Sequence, residues 1–149
     1  MLLSSLLESK KYFKIVIDEY PNTDFSLDAK FKLALINSIL ASKELYIGKY
    51  YLSQKKWIPA MNRFKSIITE YENTEYVEEA LHRLVEVNYY LGLKSEAKKY
   101  AVLLGYNYQS SDWYKESYRV FNKKYENPRD KIKKDKQNFI IKKFKNLFK

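Results

Sequence analysis

The sequence predicts an all-α protein built as a stacked helical-repeat solenoid, and three observations carry that prediction. The 149 residues include only three Gly and three Pro, too little punctuation for a many-stranded β protein, which turns about every 8–12 residues. Between those breaks Lys, Glu, Leu, Ala and Ile run in long stretches that favour helix. Most telling, the chain matches itself at an offset of 51: Phe13-Lys-Ile-Val-Ile-Asp-Glu-Tyr-Pro-Asn-Thr-Asp-Phe25 aligns with Phe64-Lys-Ser-Ile-Ile-Thr-Glu-Tyr-Glu-Asn-Thr-Glu-Tyr76. Phe13/Phe64, Glu19/Glu70, Tyr20/Tyr71, Thr23/Thr74 and Ala29/Ala80 are among the identities. Each copy reads as an amphipathic helix, an Asn-Thr turn able to cap the next helix, and then that second helix.

The period itself is informative. Tetratricopeptide units repeat every 34 residues or so, and that register also fits. With Gly48 at the small position of a first helix, Tyr51, Ala60 and Phe64 fall on the aromatic, Ala and Phe positions; Phe13 and Pro21 fit an earlier unit and Ala97 a later one. Small Gly48 and Ala60 let paired helices approach, and Tyr51 and Phe64 fill the space between hairpins. The 17 residues by which 51 exceeds 34 suggest one additional helix near 26–42. Helices are therefore expected near 2–20, 26–42, 43–54, 57–72, 76–92, 94–105, 112–125 and 130–148. Pro59 suits a first helical turn, where a missing N–H is harmless. Gly92 ends a helix, and Pro128 sets off the tail. The chain thus divides into a helical-repeat domain over 1–126 and a basic amphipathic tail over 127–149. The first unit opens at its second helix, so an exposed apolar face is expected towards Met1.

Charge is uneven. The chain carries a net +10, and residues 129–149 hold nine Lys/Arg against Asp130 and Asp135, leaving only +3 on the first 128 residues. The tail over 130–148 puts Ile132, Ile140, Phe144 and Leu147 near one face of a basic helix. Such a helix suits docking on self or a partner first, contact with an anionic membrane second, and nucleic acid last. No stretch reaches the roughly 18 apolar residues that a membrane span needs. The short apolar opening, Met1 to Leu7, has neither the basic flank nor the layout of a signal peptide.

Catalytic and metal-binding signatures are missing from the sequence. There is no phosphate-cradling Gly-rich loop and no His-Glu-x-x-His pattern. Without cysteine the chain offers no disulfide framework, thiol nucleophile or thiolate metal site. The single His82, in Ala80-Leu-His-Arg-Leu84, reads as a packing or hydrogen-bonding residue, and Glu78 and Glu79 read as acids favouring a helix start. No enzyme activity, metal or cofactor is expected. The cluster Tyr106-Asn-Tyr-Gln-Ser-Ser-Asp-Trp-Tyr114 fits two roles: capping the last hairpin or forming an aromatic binding patch, since Trp, Tyr and Arg dominate interface hot spots. Arg63, between inward-facing Ala60 and Phe64, is placed on an adjacent exposed edge.

Laid out in register, Lys43-Glu-Leu-Tyr-Ile-Gly-Lys-Tyr-Tyr-Leu52, Ala60-Met-Asn-Arg-Phe64, Glu79-Ala-Leu-His-Arg-Leu-Val-Glu86 and Leu104-Gly-Tyr-Asn-Tyr-Gln-Ser-Ser-Asp-Trp-Tyr114 together resemble the BamD family in its α-proteobacterial form. These are lipoproteins of outer-membrane β-barrel assembly in Gram-negative bacteria. The resemblance runs over about residues 8–121 and fits the family's C-terminal part. It implies a non-catalytic scaffold on the periplasmic side of the outer membrane, within the BAM complex. Its partners there would be the POTRA region of the BamA-like barrel subunit and other assembly subunits. The family's N-terminal repeats, held to engage unfolded barrel proteins, have no counterpart in these residues, so that role is not carried over. Arg63 in Asn-Arg-Phe becomes the leading partner contact, a salt-bridge donor to a POTRA carboxylate. Tyr46, Lys49 and Tyr50 on the neighbouring helix, and Trp113, complete the expected partner-binding set. Apart from the resemblance, the alternatives are a stand-alone tetratricopeptide adaptor, or a membrane or nucleic-acid binder acting through the tail.

Overall fold

The computed structural model describes residues 2–123 together with Lys136 and Gln137. Among the described residues all regular structure is helical: α1 (Leu2–Glu19), α2 (Asp24–Ser53), α3 (Trp57–Glu70), α4 (Val77–Tyr90), α5 (Lys94–Asn107) and α6 (Asp112–Phe121). Each helix packs on the next in the chain, and α4 also packs on α6. That layout is a solenoid, in which each element meets its neighbours and the core is continuous along the stack.

The helices begin and end where local chemistry directs. Thr23 caps α2, its hydroxyl accepting from Ser26 N–H at 3.1 Å and donating to the Tyr20 carbonyl at 2.8 Å. The equivalent Thr74 makes the matching 2.8 Å bond to the Tyr71 carbonyl, so the two copies of the repeat share the turn down to one hydroxyl. The cap is not repeated: α4 starts later, with Tyr76 in the cap position. Asn22 takes the left-handed conformation at φ 65°, which Asn tolerates better than most residues. Gly92 closes α4 at φ 77°. There Leu93 N–H donates to Asn88 O at 2.8 Å and Gly92 N–H to Tyr89 O at 3.0 Å, the paired bonds of a Schellman ending.

One expectation is corrected. The helices placed at 26–42 and 43–54 are a single helix, α2, of 30 residues. Nothing between Leu40 and Leu45 interrupts the backbone ladder: no Pro, no Gly and no capping turn. The extra residues of the long repeat therefore lengthen a helix instead of adding one. The expected helix at 112–125 ends at Phe121, capped by Asn122. The tail helix expected over 130–148 lies outside the described residues apart from Lys136 and Gln137, which are exposed.

The core is made where the register put it. Ala60, Phe64, Ile67, Ala80, Leu84 and Leu104 are fully buried and belong to one cluster with Ile36, Leu40 and Leu45 of α2. A smaller cluster of Val85, Ala97 and Ala101 joins α4 to α5. Close approach depends on Gly48: a Cβ there would lie 2.5 Å from Phe64 Cε1 and 2.8 Å from Cζ. Gly105 plays the same part between α5 and α6, where a Cβ would meet Tyr114 Cε2 at 2.6 Å. Replacing a helical Gly by Ala gains about 1 kcal/mol of helix propensity, but forcing a methyl into a filled core costs about 1–3 kcal/mol. Phe64 is completely buried and has nowhere to go, so the packing loss wins. Gly48→Ala is expected to lower stability by up to about 2 kcal/mol net, read as a lower urea midpoint with an unchanged slope.

Candidate functional site

The expected contact residues are set by the seam between α2 and α3. In α2, Tyr46 and Tyr50 project outward at 75 % and 57 % exposure, while Leu45 and Gly48 of the same stretch face the core. Lys49 lies beside them on that outer face. On α3, Ala60, Phe64 and Ile67 point inward, which leaves Arg63 at the margin, half-buried. Its Nη1 donates to Glu44 Oε2 on α2 at 3.0 Å. The Glu44 hydrogen bond, followed by its charge, holds the Arg63 guanidinium above its ordinary value, so its proton is secure at any physiological pH.

Lys49 belongs to a second polar chain that crosses the stack. Its Nζ meets Glu79 Oε1 on α4 at 2.9 Å. The same carboxylate accepts from Arg83 at 3.1 Å, and Arg83 also donates to Glu86 at 2.7 Å. His82, buried at 4 % exposure, shares Glu86 through Nε2 at 3.6 Å and meets Ser117 Oγ of α6 through Nδ1 at 2.9 Å. Trp113 covers this end, its ring 5.1 Å from the His82 ring and 5.4 Å from the Arg83 guanidinium. The structure thus links Lys49 to Trp113 through Glu79 and Arg83. It leaves Arg63 in a separate pair and Tyr46 and Tyr50 exposed. Trp113 is half-buried on α6, in a packed setting.

Among the described ion pairs, those of Lys49 and Arg63 are the ones that join two helices; the others lie within a single turn of one helix. The local pairs of Arg83 are legible from spacing alone, since Glu79 and Glu86 stand four and three residues away. Glu44 is not legible that way, because it reaches Arg63 only when α2 docks on α3. The stack of Trp57 on Tyr90, with ring centroids 5.3 Å apart, likewise depends on tertiary packing.

Burial alone would raise the Glu86 carboxyl, but the hydrogen bonds and charges of His82 and Arg83 outweigh it and hold Glu86 below its ordinary value of 4.5. A group depressed in the folded state adds stability that is complete above its unfolded value and lost as pH falls through the folded one. The stability gap between the native chain and Glu86→Gln is therefore expected to be full at neutral pH. It should shrink once pH drops below 4.5, as read by urea unfolding at both pH values.

No group of three or more His, Cys, Asp or Glu poised for a metal is present among the described residues. No helix among them is long and apolar enough to cross a membrane. What the described surface offers is aromatic side chains and cations fixed on a rigid helical frame, the attributes of a helical-repeat binding protein. The profile of an outer-membrane lipoprotein family, YfiO, matches residues 3–103. The chain is 47 % identical over 119 residues to the outer membrane protein assembly factor BamD of Rickettsia prowazekii, covering 80 % of this chain and 47 % of that protein. The BamD of Caulobacter vibrioides is 41 % identical over 107 residues, 72 % of this chain and 35 % of the relative. The chain belongs to this BamD/YfiO family of outer-membrane lipoproteins, and it spans about half the length, or less, of these relatives.

Proposed function

We propose that the chain is a non-catalytic scaffold of the outer-membrane protein assembly (BAM) machinery. It acts on the periplasmic side of the outer membrane and holds a POTRA domain of the BamA-like barrel subunit along the α2–α3 edge. The observation that carries this is the treatment of the two expected cations. Arg63 and Lys49 are tied across helices by Glu44 and Glu79, so the frame fixes both cations in place, and α2 also presents Tyr46 and Tyr50 exposed. Arg and exposed Tyr side chains are among the residue types that dominate interface hot spots. The names of the relatives, all outer membrane protein assembly factors, supply the setting. The mechanism is geometric: a rigid curved stack sets the position of one partner relative to another without making or breaking bonds.

Titration of the chain with the purified POTRA region of the cognate barrel subunit tests this, beside Arg63→Glu. Saturable binding is expected, and the charge reversal should cost about 2–4 kcal/mol, on the order of 30- to 1,000-fold in Kd. Unchanged affinity in the variant would remove Arg63 from the interface. Absence of binding by a chain shown to be folded would remove this partner.

A further inference from the structure

Building on the placement of Arg63 at the partner interface, we infer that Glu44 is the positioning residue of the site, holding the guanidinium in its binding geometry before the partner arrives. The first support is the lack of any alternative on α3. One turn to either side of Arg63 stand Pro59, Ala60, Ser66 and Ile67, none able to form an ion pair. Without Glu44 the long side chain keeps a weaker contact with Tyr51 of α2 and samples more rotamers from the margin of the helix.

Glu44 supplies what α3 lacks. It lies 19 residues away in sequence on the facing helix, at 3.0 Å from Nη1. The exposures are unequal in the useful sense: the Glu44 side chain is 18 % exposed and that of Arg63 is 42 % exposed. The carboxylate is therefore the seated member of the pair and the guanidinium the outward one. A guanidinium carries five N–H donors in a planar fork, and the bond to Glu44 uses one nitrogen. A partner carboxylate can then be met by a fork whose plane is already set, which lowers the ordering cost paid on association. The other described Arg–carboxylate pairs, of Arg83 and Arg119, are made along their own helices. Arg63 is held by the helix against which α3 packs.

The opposing effect is charge. Glu44 is an acid beside an incoming acid, and on electrostatics alone its removal would tighten binding. At an edge this exposed, Coulomb terms are weakened by solvent and salt, whereas loss of side-chain order persists in any buffer. The two effects thus predict opposite signs, and positioning is the one the geometry favours.

A double-mutant cycle decides between them. The affinity of the purified POTRA region is measured for the native chain, Glu44→Ala, Arg63→Ala and the double variant, at low and high salt, with each fold checked by circular dichroism. Glu44→Ala is expected to weaken binding about tenfold at both salt concentrations, and by less than about twofold when Arg63 is already Ala. Glu44→Gln, which keeps an acceptor, should fall between the native chain and Glu44→Ala. Unchanged or tighter binding by Glu44→Ala overturns the inference, as does an equal loss in both backgrounds or a Gln variant weaker than the Ala one. If Arg63→Ala lowers affinity and Glu44→Ala does not, Glu44 alone is removed from the site. If Arg63→Ala binds like the native chain, the interface placement of Arg63 fails, and the role of Glu44 falls with it.

Discussion

The close contact of α2 with α3 at Gly48 and Phe64 is the constraint on which the rest of the structure depends. Phe64 is fully buried against a helix that has no side chain at the point of contact. That absence brings the two axes near enough for the short Glu44 carboxylate to span the seam to Arg63. It also sets the base onto which α4 stacks through Ala80, again a small and fully buried residue, and α4 in turn brings Glu79 to Lys49. Hydrophobic packing therefore decides the location of the charges. The charges do not hold the helices together to a comparable degree, since exposed pairs contribute about 0–1 kcal/mol each.

The chain from Lys49 to Ser117 shows how polar groups are accommodated inside such a stack. Burial of His82 and partial burial of Glu86 and Arg83 would be costly if any of them lacked a partner. Here each has at least two: Glu79 and Glu86 for Arg83, Arg83 and His82 for Glu86, Glu86 and Ser117 for His82. Trp113 excludes water from one side and presents an aromatic face to the Arg83 cation at 5.4 Å. Three helices are joined by this arrangement, and α6, a helix of only 10 residues, gains an anchor that its length alone would not provide.

The parts of this structure that can be read in the sequence are those written in local spacing. Gly48, Ala60, Phe64 and Ala97 fall on repeat positions whose packing duty follows from residue size, and they lie buried or in contact as that duty requires. Pro59 and Gly92 mark helix ends by backbone chemistry that needs no neighbour. The continuity of α2 is harder to read, because the offset of the repeat says how many residues are added and not whether they form a new helix. The decisive fact is a missing breaker, and absences carry weak signal. Apolar residues on several faces of α2 add to the difficulty: Ile36 and Leu40 point inward while Phe31, Leu35 and Tyr46 stay exposed. The pairing of Arg63 with Glu44, the stack of Trp57 on Tyr90 and the seat of Trp113 on His82 are not legible, since each depends on the docking of segments distant in sequence. The similarity of Gly105 to Gly48 in duty is hidden for the same reason.

The unbroken α2 has a mechanical consequence. A 30-residue helix extends about 45 Å at 1.5 Å per residue. Its first half packs with α1 and with the turn after α3, where Ser38 donates to Glu75 at 2.8 Å; its second half carries Tyr46, Lys49 and Tyr50. Two shorter helices joined by a turn would place a hinge between these halves. A single helix makes them one strut, so a displacement imposed near Asp24 is delivered to the other end with little loss. Whatever is held along the second half keeps a set distance from whatever meets the first.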